Sequence, residues 1–465
     1  MYFKCKNKYR KVASQENFET LKRASRNYKK ELNLAFKQYR TNMANKIKSL
    51  KSSNPKEYWH LLNGQSDSKT LKHISLDILH DHFEKLNAAS QNDSCFDHTP
   101  EGHKPDAILE QDITHKEIQQ AIKALKCNKS CGIDQVLNEY LKNSPTEYIE
   151  LYVKLFNVIL KSGIIPDEWC VGVIKPIYKG KGDKSDPNNY RGITIVSCLG
   201  KLFNSVLNLR LSAYIKIQNH NGPEQAGFKA GFSTVDHMFV LKAMIDVFLF
   251  KHKRLYVCFV DFKKAFDSVN RIKLWQKLIS CNVTGKILTI IKNMYDKAKS
   301  CVSTNGVMST TFPCQVGVRQ GEYLSPLLFS IYLADLESFL STKYEGLQTL
   351  QNMGSEFIDD NTMIMYLKLH LLLYADDTVL VAESPGDLQK SLDAMVNYCE
   401  DWELDINTDK TKVMIMSRGT IRNKPIFNFG PNVIEIVDSY KYLGLIFNYN
   451  GRFSKAKNGI FGPRH

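Results

Sequence analysis

The 465-residue sequence lacks the features of a membrane, secreted or disulfide-stabilised protein. No stretch reaches the roughly 18 uncharged residues that a membrane span needs, because charged residues interrupt both of the most apolar runs, 238–250 and 371–382. No apolar signal core follows Met1. The 11 cysteines are scattered and form no paired C-x-x-C knuckles, which argues against a disulfide framework and a zinc ribbon. We therefore expect an intracellular protein of the cytoplasm, the nucleus or both, with reduced thiols and no membrane partner.

Acidic residues are scarce in the first 56 residues, which contain 16 Lys and Arg but only three Glu. This segment carries +13 of a total formal charge of +15, so the remainder is close to neutral. A concentrated basic segment favours a polyanionic partner, most often nucleic acid. Apolar residues spaced by three and four over 18–50 predict a long basic amphipathic helix. Such a helix could bind nucleic acid or could simply be solvated, and the shortage of acids favours the anionic partner.

The rest of the sequence predicts an α+β body without internal repeats or low-complexity tracts. Polar stretches predict a linker within 63–109, and a capping box from Thr114 to Glu117 predicts the start of a helix. Further helical periodicity covers 388–402, and strand patterns cover Val171–Tyr178, 255–260, Lys412–Met416 and 440–447.

Three acidic residues follow or interrupt the most apolar strand patterns. Asp261 ends the run 255–260, and Asp376 and Asp377 separate two apolar runs within 371–382. Taken singly, Asp261 fits a helix N-cap and the Asp pair fits a hairpin turn. A hairpin turn would favour Asp-Gly or Asn-Gly, however, and adjacent like charges between apolar strands are destabilising without a cation. Three carboxylates at the tips of neighbouring strands would suit Mg²⁺, and two such ions could promote an in-line phosphoryl transfer.

Two other segments do not indicate a function when each is considered alone. Residues 174–195 predict a strand, a glycine-rich basic turn and a return strand, which could clamp phosphates or could be a solvated turn. Residues 317–329 predict a turn bounded by Gly and Pro that leads into an apolar helix.

The ordered set of motifs resembles a known family. Residues 260–269, 319–329 and 374–377 resemble the successive palm motifs of reverse transcriptases, specifically those of non-LTR (LINE-type, jockey-like) retrotransposons. A lone Tyr-x-Asp-Asp would be a weak signal, whereas all three motifs in this order are specific. Flanking similarities extend the resemblance to roughly 110–450 and comprise 131–139, 190–193, 225–228, 402–412 and 440–444.

This resemblance implies an α+β right-hand polymerase with an antiparallel palm sheet, preceded by a basic helical segment. The implied domains are a basic helical arm (1–62), a polar linker (63–109), an N-terminal extension with fingers (110–232), a palm (233–420) and a palm–thumb hairpin with a truncated thumb (421–465). The reverse transcriptase domain would cover approximately 158–447. Because no endonuclease motif or C-terminal Cys/His knuckle is present, we expect a fragment or a degenerate copy of a mobile element.

The resemblance also implies a metal site. Asp261, Asp376 and Asp377 match the catalytic acids of the family, and together with the backbone carbonyl of Phe262 they would bind two Mg²⁺ ions, for which Mn²⁺ can substitute. Lys410 matches, in a loosely aligned region, the lysine proposed to protonate the departing pyrophosphate.

A second group of residues would contact the substrate. Phe266 matches the aromatic residue that excludes a 2′-hydroxyl, so the product would be DNA. Gln320 and Gly321 match residues that contact the incoming nucleotide and template. Lys179 and Arg191 match the fingers residues that hold the triphosphate.

The expected function is RNA-directed DNA polymerisation from an RNA template, a DNA primer and deoxynucleoside triphosphates. A viral RNA-dependent RNA polymerase is disfavoured by Phe266 and by Ala375, since those enzymes typically have Gly-Asp-Asp and no aromatic gate. A catalytically inactive nucleic-acid-binding remnant stays open as an alternative. One departure from the family pattern is Glu322-Tyr323, where a residue followed by Pro usually precedes Leu-Ser-Pro; Glu is familiar there in some lineages.

Neutralising several lysines within 22–51 is expected to weaken RNA binding uniformly across RNA sequences. Each lost phosphate contact should reduce the magnitude of the slope of log affinity against log salt concentration by about 0.7–0.9. Filter binding over a salt series measures both effects, and an unaltered slope would show that the helix is only solvated.

Overall fold

A computed structural model of the chain describes residues 1–53, 57–58, 74–88, 106–180, 182–218, 233–343, 371–374, 377–419 and 421–452. The chain divides into two compact units, Met1–Leu71 and Lys72–His465. No helix among the described residues is long and apolar enough to cross a membrane. Asp376, the motif 225–228, and 63–73 and 89–105 of the expected linker lie outside the described residues.

The described residues of the first unit include the helices α1 (Tyr2–Lys11) and α2 (Gln15–Ser53). The chain reverses between them, so that the ring of Tyr2 stacks on that of Tyr28 with 5.1 Å between centroids. The amphipathic helix predicted over 18–50 is therefore confirmed and extends slightly beyond both ends. Several of its large apolar side chains, including Phe36 and Tyr39, are exposed.

The described part of the second unit begins with a series of helices. They are α3 (Leu76–Asn87), α4 (Ala107–Glu110), α5 (His115–Ala124), α6 (Asn138–Lys142), α7 (Thr146–Ser162) and α8 (Asp167–Cys170). The capping box predicted at Thr114 is confirmed, since its hydroxyl accepts from the Glu117 N–H and the Glu117 carboxylate accepts from the Thr114 N–H.

The remaining elements alternate between strands and helices. They are β1 (Val171–Tyr178), β2 (Tyr190–Ile195), α9 (Cys198–Ile217), α10 (Thr234–Phe250), β3 (Leu255–Asp261), α11 (Arg271–Ser280), α12 (Gly285–Asp296), β4 (Lys299–Thr304), β5 (Val307–Met308), β6 (Phe312–Pro313), α13 (Ser325–Tyr332), α14 (Leu336–Lys343), β7 (Leu371–Tyr374), β8 (Asp377–Ala382), α15 (Pro385–Asp401), β9 (Lys412–Met416), β10 (Phe427–Phe429), β11 (Asn432–Ile434), β12 (Ser439–Tyr442) and β13 (Leu445–Asn448).

Two sheets support the centre of this unit. The first has the order β2-β1-β4-β5, with β6 also paired to β4; β1 and β2 form the predicted antiparallel hairpin, and β1 is parallel to β4. The second is the antiparallel sheet β7-β8-β3-β9, with β10–β11 and β12–β13 as separate hairpins.

Strand β3 is buried on both faces, which explains its uninterrupted apolar sequence. Tyr256, Cys258 and Val260 enter the main hydrophobic core, which includes α15 and α11. Val257 and Phe259 enter a second core formed with α10 and the β12–β13 hairpin. Burying one such side chain contributes about 1.5–3 kcal/mol, so both cores fix the position of this strand.

The structure corrects two sequence-based predictions. The single strand predicted over 440–447 is wrong, because Leu443 and Gly444 adopt positive φ angles of 45° and 90° and turn the segment into the β12–β13 hairpin. Part of the predicted polar linker is the packed helix α3, whose Leu79 and Phe83 are buried. Its spacing of apolar residues was obscured by the polar sequence around it.

Arg271 fixes the loop that leads to the motif 319–329. Its buried guanidinium donates to the backbone carbonyls of Gly317 (3.0 Å), Cys314 (2.6 Å), Val316 (3.1 Å) and Tyr295 (2.8 Å). Burial lowers the pKa of Arg271 to about 10, so the side chain stays charged at neutral pH.

The substitution Arg271→Met is expected to lower the free energy of unfolding by about 3–5 kcal/mol, because several buried carbonyls lose their hydrogen-bond donors. Urea denaturation measures the loss, with the exposed Arg422→Met as a matched control. A cost as small as that of the control would contradict the role of Arg271 as the tether of this loop.

Candidate active site

Strands β3 and β8 place Asp261 and Asp377 directly opposite each other in an antiparallel register. Opposed residues of antiparallel strands project from the same face, with Cβ atoms about 4.5–5.5 Å apart. The Asp261 backbone is held at both ends: its N–H donates to Thr411 Oγ1 (3.1 Å) and its carbonyl accepts from the Asn407 N–H (2.7 Å). The segment before β9 thus fixes the first of the two carboxylates.

Asp261 of this pair has a cationic neighbour. Lys410 Nζ lies 3.0 Å from Asp261 Oδ2, in an ion pair whose lysine side chain is 66% exposed. Below the acids, Tyr440 stacks on Phe259 with 4.2 Å between ring centroids. Burial, together with the charges of Asp261 and Asp377, raises the pKa of Tyr440 to about 12. Negative charge therefore accumulates at this end of the sheet.

A cleft of about 990 Å³ opens above Asp261. Its walls carry the basic residues Lys179, Arg191, Lys264 and Lys410. Burial, and then the charges of Arg191, Lys410 and Lys264, lower the pKa of Lys179, as expected where cations are crowded. Such a cleft has a positive potential that attracts polyanions.

The motif 319–329 closes another side of this cleft. The Thr194 N–H donates to the Gln320 carbonyl (3.0 Å), and a Cβ on Gly321 would lie only 2.5 Å from the Thr194 carbonyl oxygen. Gly321 also has a φ of +118°, so this position requires glycine. Phe266, which also lines the cleft, stacks on Phe329 of this motif with 4.9 Å between centroids, which holds its ring in place.

The structure gathers most of the sequence-predicted site residues around this one cleft. Asp377 is joined to the cleft by its pairing with Asp261, and Asp376 lies outside the described residues. The predicted residues that line the cleft are Lys179, Arg191, Asp261, Phe262, Phe266, Gln320, Gly321 and Lys410.

Comparison with protein families gives the identity of this arrangement. The family model described as "Reverse transcriptase (RNA-dependent DNA polymerase)" matches residues 179–447, which is more than half of the chain. The chain belongs to the reverse transcriptase family. The four-stranded sheet β7-β8-β3-β9 is therefore its palm, and the expected α+β polymerase fold with an antiparallel palm sheet is confirmed.

Similar curated proteins come from mobile elements, which confirms the resemblance to non-LTR reverse transcriptases. The chain is 28% identical over 356 residues to a probable RNA-directed DNA polymerase from transposon BS of Drosophila melanogaster, covering 76% of this chain and 36% of that protein. It is 25% identical over 362 residues to the RNA-directed DNA polymerase from mobile element jockey of Drosophila funebris, with 75% and 36% covered. The chain thus spans about a third of the length of these relatives.

A solved structure with a partial similarity is the apo telomerase of Candida tropicalis truncated from its C-terminal domain. The TM-score is 0.39 and the sequence identity 15%, with 67% of this chain and 63% of that chain covered.

Several residues around the reverse transcriptase cleft were not assigned a role from the sequence. Asp267 and Lys264 line it from within the motif that contains Asp261, so their proximity was a readable signal. His82 and Phe83 reach it from α3, and a Cβ on Gly192 would lie 2.7 Å from the Phe83 ring. These segments are far apart in the chain, so their contacts produce no local sequence pattern from which they could be predicted.

The departure at Glu322 has a structural explanation. Glu322 Oε1 accepts from Arg319 Nη1 at 3.1 Å, and the two side chains are only 3% and 7% exposed. Arg319 also donates to the carbonyl of Cys170, the last residue of α8 before β1. Glu322 therefore neutralises the buried guanidinium of Arg319. Arg319 in turn connects this loop to the backbone that leads into the first sheet.

The acids of the palm fit a divalent cation. Two carboxylates directly opposite each other in a sheet repel when both are ionised, and their oxygen atoms are the hard ligands that Mg²⁺ prefers. The ammonium of Lys410 already occupies one of these oxygens, at 3.0 Å. The site thus attracts positive charge, and the residues present are compatible with the expected metal ions.

Glu322→Ala is expected to lower the free energy of unfolding by about 3–5 kcal/mol, because Arg319 would stay buried without its counter-charge. The double variant Arg319→Met/Glu322→Leu should recover most of this loss. Removing an exposed partner in Asp112→Ala, which breaks an ion pair with Lys161, should cost about 1 kcal/mol or less. Urea denaturation of the variants compares these costs, and equal losses for the two single variants would refute the account.

Proposed function

We propose that this chain is an RNA-directed DNA polymerase that copies RNA into DNA by nucleotidyl transfer with two divalent metal ions, Mg²⁺ or in its place Mn²⁺. The observation that carries this proposal is the pairing of Asp261 with Asp377 on one face of the palm, beneath a basic cleft. Its substrates would be an RNA template, a DNA primer and deoxynucleoside triphosphates. The cytoplasm or nucleus, where these substrates occur, suits the activity.

In this proposal, Asp261, Asp376, Asp377 and the carbonyl of Phe262 hold the metal ions. When bound, the ions would activate the primer 3′-hydroxyl and neutralise the developing negative charge. Lys410 must then leave the Asp261 carboxylate, and its 66% exposed side chain is free to turn toward the triphosphate. There its ammonium could donate a proton to the departing pyrophosphate.

Other wall residues would bind and select the nucleotide. Lys179 and Arg191 lie on the β1–β2 hairpin, where their charges would hold the triphosphate. Lys179 Nζ donates to the Asn188 carbonyl (2.6 Å), which holds the ammonium beside the hairpin backbone. Phe266 cannot retreat into the core because Phe329 lies against its ring, and this supports its role in excluding a 2′-hydroxyl.

The basic helix α2 would add a nucleic-acid contact outside the palm. Its lysines and arginines are exposed along most of its length, together with aromatic rings such as Phe36 and Tyr39. Exposed cations interspersed with aromatic side chains suit single-stranded nucleic acid, since the rings can stack on bases.

Primer extension on poly(rA)/oligo(dT) with Mg²⁺ and dTTP tests the proposed activity. Asp261→Asn and Asp377→Asn should each reduce extension by at least about 100-fold, because each removes a charged metal ligand. Filter binding of the same hybrid should change little, since neither residue is proposed to contact phosphates. Asp376→Asn is expected to behave in the same way.

The exposed Asp393→Asn on α15 is the matched control, because it removes an equal charge outside the cleft. Extension that persists in Asp261→Asn would exclude Asp261 from the site. A wild-type chain that binds the hybrid but does not extend the primer would favour the inactive nucleic-acid-binding remnant.

A further inference from the structure

The helix α7 carries apolar side chains on two of its faces. Phe156, Ile159 and Leu160 are buried in the main hydrophobic core. On the outer face, Leu151 is 56% exposed and Val158 is 62% exposed. The outer face of a surface helix is ordinarily polar, and an apolar stripe in that place is typical of a surface that packs against a partner.

The exposed apolar residues of α7 follow the spacing of a coiled-coil contact. Tyr148, Leu151, Leu155 and Val158 are separated by three, four and three residues, and all four are exposed. Side chains at this spacing form a continuous stripe along one side of a helix, and such a stripe packs well against a second helix. These four residues therefore form a helix-sized docking surface, which we call the α7 seam.

The charged residues of α7 are distributed unevenly about the midpoint of the α7 seam, which lies at Val153. Glu147 and Glu150 precede this midpoint, whereas Lys154 and Lys161 follow it. All four are exposed, and at about 100° per residue they lie on the same flank of the seam. A parallel second helix of the same sequence would bring like charges together. An antiparallel one would bring the glutamates of each helix to the lysines of the other.

A two-fold axis near Val153 pairs the apolar residues of two antiparallel copies of α7. It places Leu151 of one copy against Leu155 of the second copy, and Tyr148 against Val158 of the second copy. Each layer then joins the two kinds of seam position, as in antiparallel coiled coils. The α7 seam is therefore complementary to itself, which a two-fold symmetric contact requires.

The same axis also pairs the charges. Glu147 lies within two residues of the point opposite Lys161, or about 3 Å along the helix axis, and Glu150 lies equally close to Lys154. Lys161 already forms an exposed ion pair with Asp112, at 2.9 Å. Exposed pairs contribute little stability, so Lys161 can turn toward a second copy at small cost. Charge complementarity thus favours a second copy of this chain as the occupant of the α7 seam.

We propose that the α7 seam is the contact of a symmetric dimer, in which α7 of a second copy packs against it in the antiparallel direction. None of the described residues that line the basic cleft belongs to α7, so this contact would leave the cleft of each copy open. The inference concerns assembly and does not rest on the proposed polymerase function.

The size of the α7 seam sets the expected strength of the dimer. The helix has 17 residues and is about 25 Å long, whereas a standard protein interface has about 20–30 residues on each side. We therefore expect a reversible dimer with a dissociation constant on the order of 10 µM. Sedimentation velocity of the nuclease-treated chain, at concentrations from about tenfold below to tenfold above this value, measures it. A wild-type chain that stays monomeric throughout overturns the proposal.

Leu151→Glu should weaken the dimer by about 100-fold or more, because each dimer would bury two charges without partners. Val158→Glu should act in the same way one layer further along. Both positions are exposed in a single copy, so the Tm of each variant should stay within about 2 °C of wild type. Val235→Glu is the matched control, because Val235 is 63% exposed on α10, and it should dimerise normally. A dimer that persists unchanged in Leu151→Glu uses another surface and overturns the proposal.

A mixing experiment tests the antiparallel register. Leu155→Lys alone should be as monomeric as Leu151→Glu alone. An equimolar mixture of the two variants should dimerise again, because the carboxylate introduced in one copy meets the ammonium introduced in the other. A parallel contact would bring each position against itself and would form no such pair. A mixture that stays monomeric therefore overturns the proposed contact, whereas recovery of the dimer only in the mixture supports it.

Discussion

The register of β3 against β8 is the constraint on which the rest of the site depends. Because side chains alternate between the faces of a strand, a slip of one residue would move Asp261 away from Asp377 and reverse every apolar side chain of β3. The two cores prevent this slip, since Tyr256 and Cys258 fill one and Val257 and Phe259 the other. The energy that holds two like charges together thus comes from apolar burial behind them.

The charges of the site are balanced at short range. Acids at the end of the palm sheet face a cleft wall that carries Lys179, Arg191, Lys264 and Lys410. The two groups meet in the exposed ion pair of Lys410 with Asp261. The acids and the cations of the cleft would match the two charges of a metal-bound triphosphate, which is the substrate of the proposed polymerase.

Local patterns predicted much of the fold, and three-dimensional contacts explain what they could not. The apolar sequence of β3 follows from its burial, and the regularly spaced basic residues of α2 follow from its exposure. Both elements could therefore be predicted from the sequence. The β12–β13 turn could not, because Leu443 carries an unusual positive φ that its side chain does not favour. Likewise, the burial of Glu322 is explained by its ion pair with Arg319. The same holds for Asp267, which accepts a hydrogen bond from Gln320, and for α3, which packs against Gly192.

Binding of Mn²⁺ to the chain with a template-primer and the next deoxynucleotide, followed by electron paramagnetic resonance, reports on the proposed metal site. We expect about two bound ions in the wild type and a loss of this binding in Asp261→Asn/Asp377→Asn. Equal binding of Mn²⁺ by the wild type and by this double variant would contradict the claim that the opposed carboxylates of β3 and β8 form the metal site.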